Sequence, residues 1–130
     1  SPEEDPIRFA EKNDFDSFFL SEIKKRKQGE YPPFKRIILF ESKDSHAEKA
    51  LERLNKLKRI LESQQNAISF QLLGPVEAFI TKISGKYRYH MLLKMDDNND
   101  IIHQVKRFLK ENDKYLSNVN VIVDPIRSII

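Results

Sequence analysis

Three observations predict an α+β fold for this chain of 130 residues. Two long stretches, 47–61 and 101–109, carry apolar residues at helical spacing. Four others, 37–40, 68–80, 87–95 and 119–123, are apolar runs or alternate as strands do. After a short first helix the order is β-α-β-β-α-β. Two helices that each bury one stripe against one face of a four-stranded, mixed or antiparallel sheet make a two-layer sandwich of ferredoxin-like type with one open sheet face.

Residues 1–13 hold two prolines and most of their charge as acid, and read as an irregular lead-in. Asn13 or Asp14 then caps a short helix in which Phe15, Phe18, Phe19 and Ile23 form an aromatic stripe that must pack on something. Lys24-Lys25-Arg26-Lys27 suits the negative end of that helix, and Gly29 closes it. Tyr31-Pro32-Pro33-Phe34 cannot be helix interior and reads as a rigid entry into a strand, although it could also serve as a polyproline ligand. Ile37-Ile38-Leu39-Phe40 is apolar on both alternations, as a central strand is.

From Ser45 to Ser63, Ala47, Ala50, Leu51, Leu54, Leu57 and Leu61 recur at three and four residues, the clearest amphipathic helix of the chain. Ile68, Phe70 and Leu72 alternate, Gly74-Pro75 interrupts, and Val76, Ala78 and Ile80 alternate again, which predicts one strand with a bulge. Ser84-Gly85 marks a turn, so this strand and the next form an antiparallel hairpin. In the second arm Tyr87, Tyr89, Met91, Leu93 and Met95 share one face, and Lys86, Arg88, His90 and Lys94 share the other. The loop 96–99 ends in capping residues ahead of a helix built on Ile101, Ile102, Val105, Phe108 and Leu109. Val119, Val121 and Val123 alternate in a last strand, and Asp124-Pro125 stops it as a turn residue before proline.

Composition excludes much chemistry. The chain has no cysteine, which removes disulfides, cysteine zinc sites and iron–sulfur clusters. Its three glycines are too scattered for a phosphate loop or a dinucleotide fingerprint. No apolar run is long enough to span a membrane, there is no signal peptide, and Ser1 in place of a start methionine is expected of a cut inside a longer chain. The three histidines lie on different elements without metal-type spacing, so neither a metal nor a cofactor site is expected. Glu41, Glu48, Glu52 and Glu62 read as a solvated helix face among lysines, and no catalytic residue is expected. A net charge of +3 permits nucleic acid without arguing for it.

The cations are more informative. Between Lys82 and Lys94 the chain holds Lys82, Lys86, Arg88 and Lys94, no acid, and the interleaved Tyr87 and Tyr89. Cations along a strand can track phosphates, and tyrosines can stack on unpaired bases. The alternative is that the tyrosine face is the core face, because Met91, Leu93 and Met95 share it, with the cations lining the open face. Lys35 and Arg36 join Lys24–Lys27 in a second basic cluster, for which compensation of the helix dipole is an equally good reason.

Taken together, three stretches resemble the bacterial primosomal protein N′ family, the PriA replication-restart helicases. They are residues 13–26 with Tyr31-Pro32-Pro33-Phe34, the segment Leu73-Gly74-Pro75-Val76-Glu77-Ala78 with Lys82–Leu93, and the ending Val121-Ile122-Val123-Asp124-Pro125. The match runs in order along nearly the whole chain; His90 departs from the glutamine common in the family. The resemblance implies that residues 1–29 lead in from the preceding helicase lobe and that residues 30–130 form the C-terminal domain. It implies a parent that is an ATP-dependent 3′-to-5′ DNA helicase, with its ATP, magnesium and zinc sites outside this chain, acting in the bacterial cytoplasm at replication forks. The domain itself would be non-catalytic and monomeric. It would bind single-stranded and forked DNA, help receive the single-stranded DNA-binding protein, and meet other primosome proteins. Lys82, Lys86, Tyr87, Arg88 and Tyr89 match the motif expected to touch DNA, and Lys94, Lys35 and Arg36 extend that surface. The rival expectation is an interaction domain that docks on the helicase lobes and partner proteins without touching DNA.

Overall fold

The structure is a computed structural model that describes residues 6–27 and 35–124; Gly29 and the Tyr31–Phe34 segment lie outside the described residues. The elements are helix α1 (Pro6–Lys27), strand β1 (Lys35–Asp44), helix α2 (Ala47–Glu62), strands β2 (Gln71–Ile83) and β3 (Lys86–Asp96), helix α3 (Asn99–Glu111), a short 3-10 turn at Asp113–Leu116, and strand β4 (Val119–Val123). The sheet order is β2-β3-β1-β4, with every neighbouring pair antiparallel. That is the ferredoxin-like arrangement expected from the order of elements.

The principal core lies between the sheet and the helices α2 and α3. Ile38 and Phe40 of β1 and Met91 and Leu93 of β3 are at most 0% exposed, and they meet Leu54 and Leu57 of α2 and Val105 of α3. Asn98 caps α3 as its sequence predicts, with its side-chain oxygen accepting from the amides of Asp100 and Ile101. His46 occupies the corresponding position of α2 without capping it through its side chain. Instead the Asp44 carboxylate accepts from the His46 amide at 2.9 Å and from Arg53 at 2.5 Å. Those two hydrogen bonds, the amide's first, hold the Asp44 carboxyl at about 2, below the usual carboxylate range.

Helix α1 differs from its expected extent. It begins at Pro6, where a lead-in to residue 13 is expected, because proline is tolerated in a first turn and nothing between Pro6 and Asn13 breaks a helix. Its aromatic stripe packs on the second face of the sheet, where Phe15 closes a smaller core with Ile37, Leu39, Val76 and Leu92. The face that the two-layer arrangement leaves open is thus covered over β2, β3 and the start of β1. What stays open runs from the hairpin tip to β4.

The bulge expected at Gly74-Pro75 is present as a register shift between Leu73 and Val76 against β3, and a second shift follows between Glu77 and Lys82. Gly74 has φ +92°, and a Cβ there would stand 2.9 Å from the backbone oxygen of His90. Backbone cannot yield as a side chain can, so Gly74→Ala is expected to destabilise the domain by about 2 kcal/mol. A urea unfolding midpoint equal to that of the parent chain would refute this.

Candidate nucleic-acid interface

Ser84 and Gly85 connect β2 to β3 with φ values of 53° and 77°. Positive φ at both positions is the mirror-image turn whose twist matches the flanking strands. It sets Ile83 opposite Lys86 and Lys82 opposite Tyr87. The alternation of β3 follows from this register: Lys86, Arg88 and His90 face the side of α1, and Tyr87, Tyr89 and Met91 face α2 and α3.

This register decides between the two readings of the tyrosines. Tyr89 is 5% exposed within the principal core, so its ring is not available to a base. Tyr87 is half-buried against that core, with the Lys82 ammonium 4.9 Å from its ring centroid. The tyrosine face is therefore the core face, and the expected stacking role of Tyr89 is corrected by its burial.

The cations on the other face are held to different degrees. Arg88 donates to Glu41 at 2.8 Å, and His90 Nε2 lies 2.8 Å from the same oxygen. Lys43, the register partner of Arg88, stands 3.8 Å from Glu41, and Asn120 of β4 donates to it at 3.5 Å. Glu41 thus lies in β1, not on a solvated helix face, and its side chain is 11% exposed at the centre of an ionic network. Burial alone would push its carboxyl up, but the hydrogen bonds from His90 and Arg88 outweigh it and hold the group at about 2. Burial pushes His90 below its ordinary value, against the pull of Glu41. Phe15 of α1 stacks on the His90 ring at 6.4 Å between centroids.

Lys94 lies under the same helix, with its ammonium 4.3 Å from the centre of the Phe18 ring. Lys35 pairs with Asp96 at 2.5 Å. Arg36 grips Asp124 through Nε at 2.9 and 3.0 Å and through Nη2 at 2.5 Å, and reaches Asp97 at 3.3 Å. These bonds, the Asp124 one first, raise the Arg36 pKa further. Asp124, expected as a turn residue, is 7% exposed and also joins β1 through its own amide, which donates to the Ile37 carbonyl at 2.7 Å. Lys35 and Arg36 begin β1, whereas Asp44 at its far end is the partner of Tyr87. The two basic clusters therefore lie about 30 Å apart, at opposite ends of one strand.

What remains presented at the hairpin end is Lys82 and Lys86, both exposed, with Arg88 and Lys43 beside them. Lys43 escapes a sequence reading because only strand register brings it next to Arg88. Among the described residues, no group of three His, Cys, Asp or Glu side chains could hold a metal ion, and no helix is long and apolar enough to cross a membrane.

Fold and surface together define a two-layer α+β module that presents a cation-bearing β-hairpin. Residues 27–126 match the family described as the Primosomal protein N C-terminal domain, and the chain belongs to that family. It is 33% identical over 122 residues to the Replication restart protein PriA of Borreliella burgdorferi, covering 91% of this chain and 18% of that protein. The protein of the same name from Thermotoga maritima is 30% identical over 110 residues, covering 85% of this chain and 14% of its own length. That of Helicobacter pylori strain J99 is 33% identical over 117 residues, with coverages of 87% and 17%. The chain thus spans less than a fifth of the length of these relatives.

Proposed function

We propose that this chain is the non-catalytic DNA-binding domain at the C-terminal end of a replication-restart helicase, and that it engages single-stranded and forked DNA through the β2–β3 hairpin. The observation that carries the reading is the exposure of Lys82 and Lys86 on either side of a tight turn, in a stretch from residue 78 to 95 that contains no acid. Arg88 and Lys43 extend the positive stripe, with Glu41 paired to both. Phosphate contacts of this kind recognise backbone and fork shape rather than base sequence. Tyr87 supports the ribbon from its core side, and Lys35, Arg36 and Lys94 serve chiefly the fold. On this reading the parent protein carries its ATP-, magnesium- and zinc-dependent parts outside this chain, and the domain works in the cytoplasm at the fork, where it helps receive the single-stranded DNA-binding protein and other primosome proteins.

Fluorescence anisotropy with labelled single-stranded and forked DNA across a salt series tests the reading. The affinity of the chain is expected to fall steeply between low and moderate salt. Lys82→Ala with Lys86→Ala is expected to weaken binding about tenfold and to reduce the log–log salt slope by about 2. Affinity that does not respond to salt would sink the proposal.

The second reading, an interaction domain without DNA contact, is favoured by one observation: Lys35, Arg36 and Arg88 are each ion-paired within the domain. Tight binding of an acidic peptide, with no DNA binding at low salt, would select it.

A further inference from the structure

Strand β1 ends at Asp44, whose register partner is Tyr87, so the hairpin projects past the last residue of β1 by the Ile83–Lys86 pair and its two-residue turn. At that end of the ribbon Ile83 is 43% exposed, an apolar side chain among Lys82, Ser84, Gly85 and Lys86. Its position facing Lys86 gives it no apolar partner across the pair. Ile83 is β-branched, and so keeps one shape where a leucine or methionine would not. The turn beyond it is narrow, and a Cβ added at Gly85 would meet nothing within 4 Å. Gly85 is thus there for its positive φ and leaves the tip slim. The register places one lysine on each face of the ribbon, with Lys82 beside Tyr87 and Lys86 beside Ile83.

We propose that Ile83 is a wedge that recognises the junction between paired and unpaired DNA, stacking on the last base pair while Lys82 and Lys86 hold the two backbones that diverge on either side. The inference rests on the DNA-binding reading above and adds to it the source of a preference for forks over single strands. An aliphatic side chain pressed onto a base step gains from burial what it costs in unstacking, and a cation on each ribbon face matches a ligand whose two phosphate chains part at the tip. The absence of acid from residue 78 to 95 leaves that approach unopposed along the hairpin itself.

The test uses the whole 130-residue chain. A forked DNA carries 2-aminopurine in the base pair that borders the junction, and its fluorescence is read beside anisotropy on forked and single-stranded DNA. The parent chain is expected to raise the fluorescence at the junction and to prefer the fork. Ile83→Ala is expected to abolish the fluorescence rise and to lower the fork preference about tenfold, the scale of burying most of an isoleucine side chain, with single-strand affinity unchanged. Ile83→Phe is expected to retain both. Lys82→Ala with Lys86→Ala is expected to weaken both DNA forms together. If Ile83→Ala keeps the fluorescence rise and the fork preference while the lysine variants lose affinity, the wedge is refuted and the DNA surface stands. If the parent chain shows no salt-sensitive binding to either DNA, both fall.

Discussion

Asp124→Ala is expected to cost the domain about 3–5 kcal/mol, the range measured when one partner of a buried ion pair is removed. The carboxylate is 8% exposed and accepts from two nitrogens of Arg36, whose side chain is 18% exposed, and from the Ile37 amide at 3.4 Å. Alanine leaves a guanidinium in a half-dry site without its main partner. It also puts a non-glycine residue lacking any polar side chain at φ 50°, which aspartate and asparagine tolerate better. Asp124→Asn keeps the shape and the backbone preference and is expected to lose about half as much. Combining Asp124→Asn with Arg36→Met, which removes both charges, is expected to cost less than the sum of the single changes. Urea unfolding of five chains, the parent, Asp124→Ala, Asp124→Asn, Arg36→Met and the double variant, measures this. A midpoint for Asp124→Ala within error of the parent would mean that the grip on Arg36 adds nothing to stability.

Glu41→Ala is the second large effect, expected at about 3 kcal/mol. It leaves Arg88, 21% exposed, and His90, 16% exposed, facing one another with their common acceptor gone. The same site sets the acid profile. Glu41 is held at about 2 in the folded domain against an ordinary 4.5, so its contribution is complete above pH 4.5 and is lost as pH falls toward 2. His90 is lowered from 6.5 by burial, so protonation favours the unfolded chain. Its contribution is present above 6.5 and drains away as pH falls through the lowered value. Arg88 beside it and Lys12 of α1 act in the same direction, and Glu41 opposes them. Urea midpoints at pH 7.5, 5.5 and 3.5 are therefore expected to fall at each step, more steeply at the second. Glu41→Gln is expected to reduce the second step, the remainder coming from Asp44, while keeping the first. A midpoint unchanged from pH 7.5 to 5.5 would contradict the burial of a neutral His90.

The elements that local pattern governs were legible in the sequence. The stripe through Leu54, Leu57 and Leu61 specifies α2, Asn98 specifies where α3 starts, and Ser84-Gly85 specifies the hairpin. Each of these is set by neighbours three or four residues away, or by a φ that few residues accept, so no knowledge of the rest of the chain is needed. Ile37–Phe40, apolar on both alternations, likewise announced a central strand, although the second face of its sheet was expected to stay open. Its outer cover is α1, whose aromatic stripe was visible while its docking place was not.

The start of α1 and the roles of the charged residues were decided by tertiary structure. A proline at position 6 reads equally as a helix start or a break, and only the packed helix chooses between them. Whether Tyr89 meets solvent or core depends on which face of β3 the helices α2 and α3 cover. Which cations are engaged and which are presented depends on partners 47 to 88 residues away in sequence: Glu41 for Arg88, Asp124 for Arg36, Asp96 for Lys35. Periodicity carries no record of such pairings, because strand register is a property of two segments and the turn between them. The residue types announced a basic hairpin, and the register left Lys82 and Lys86 at its tip, one on each face, with Ile83 beside Lys86.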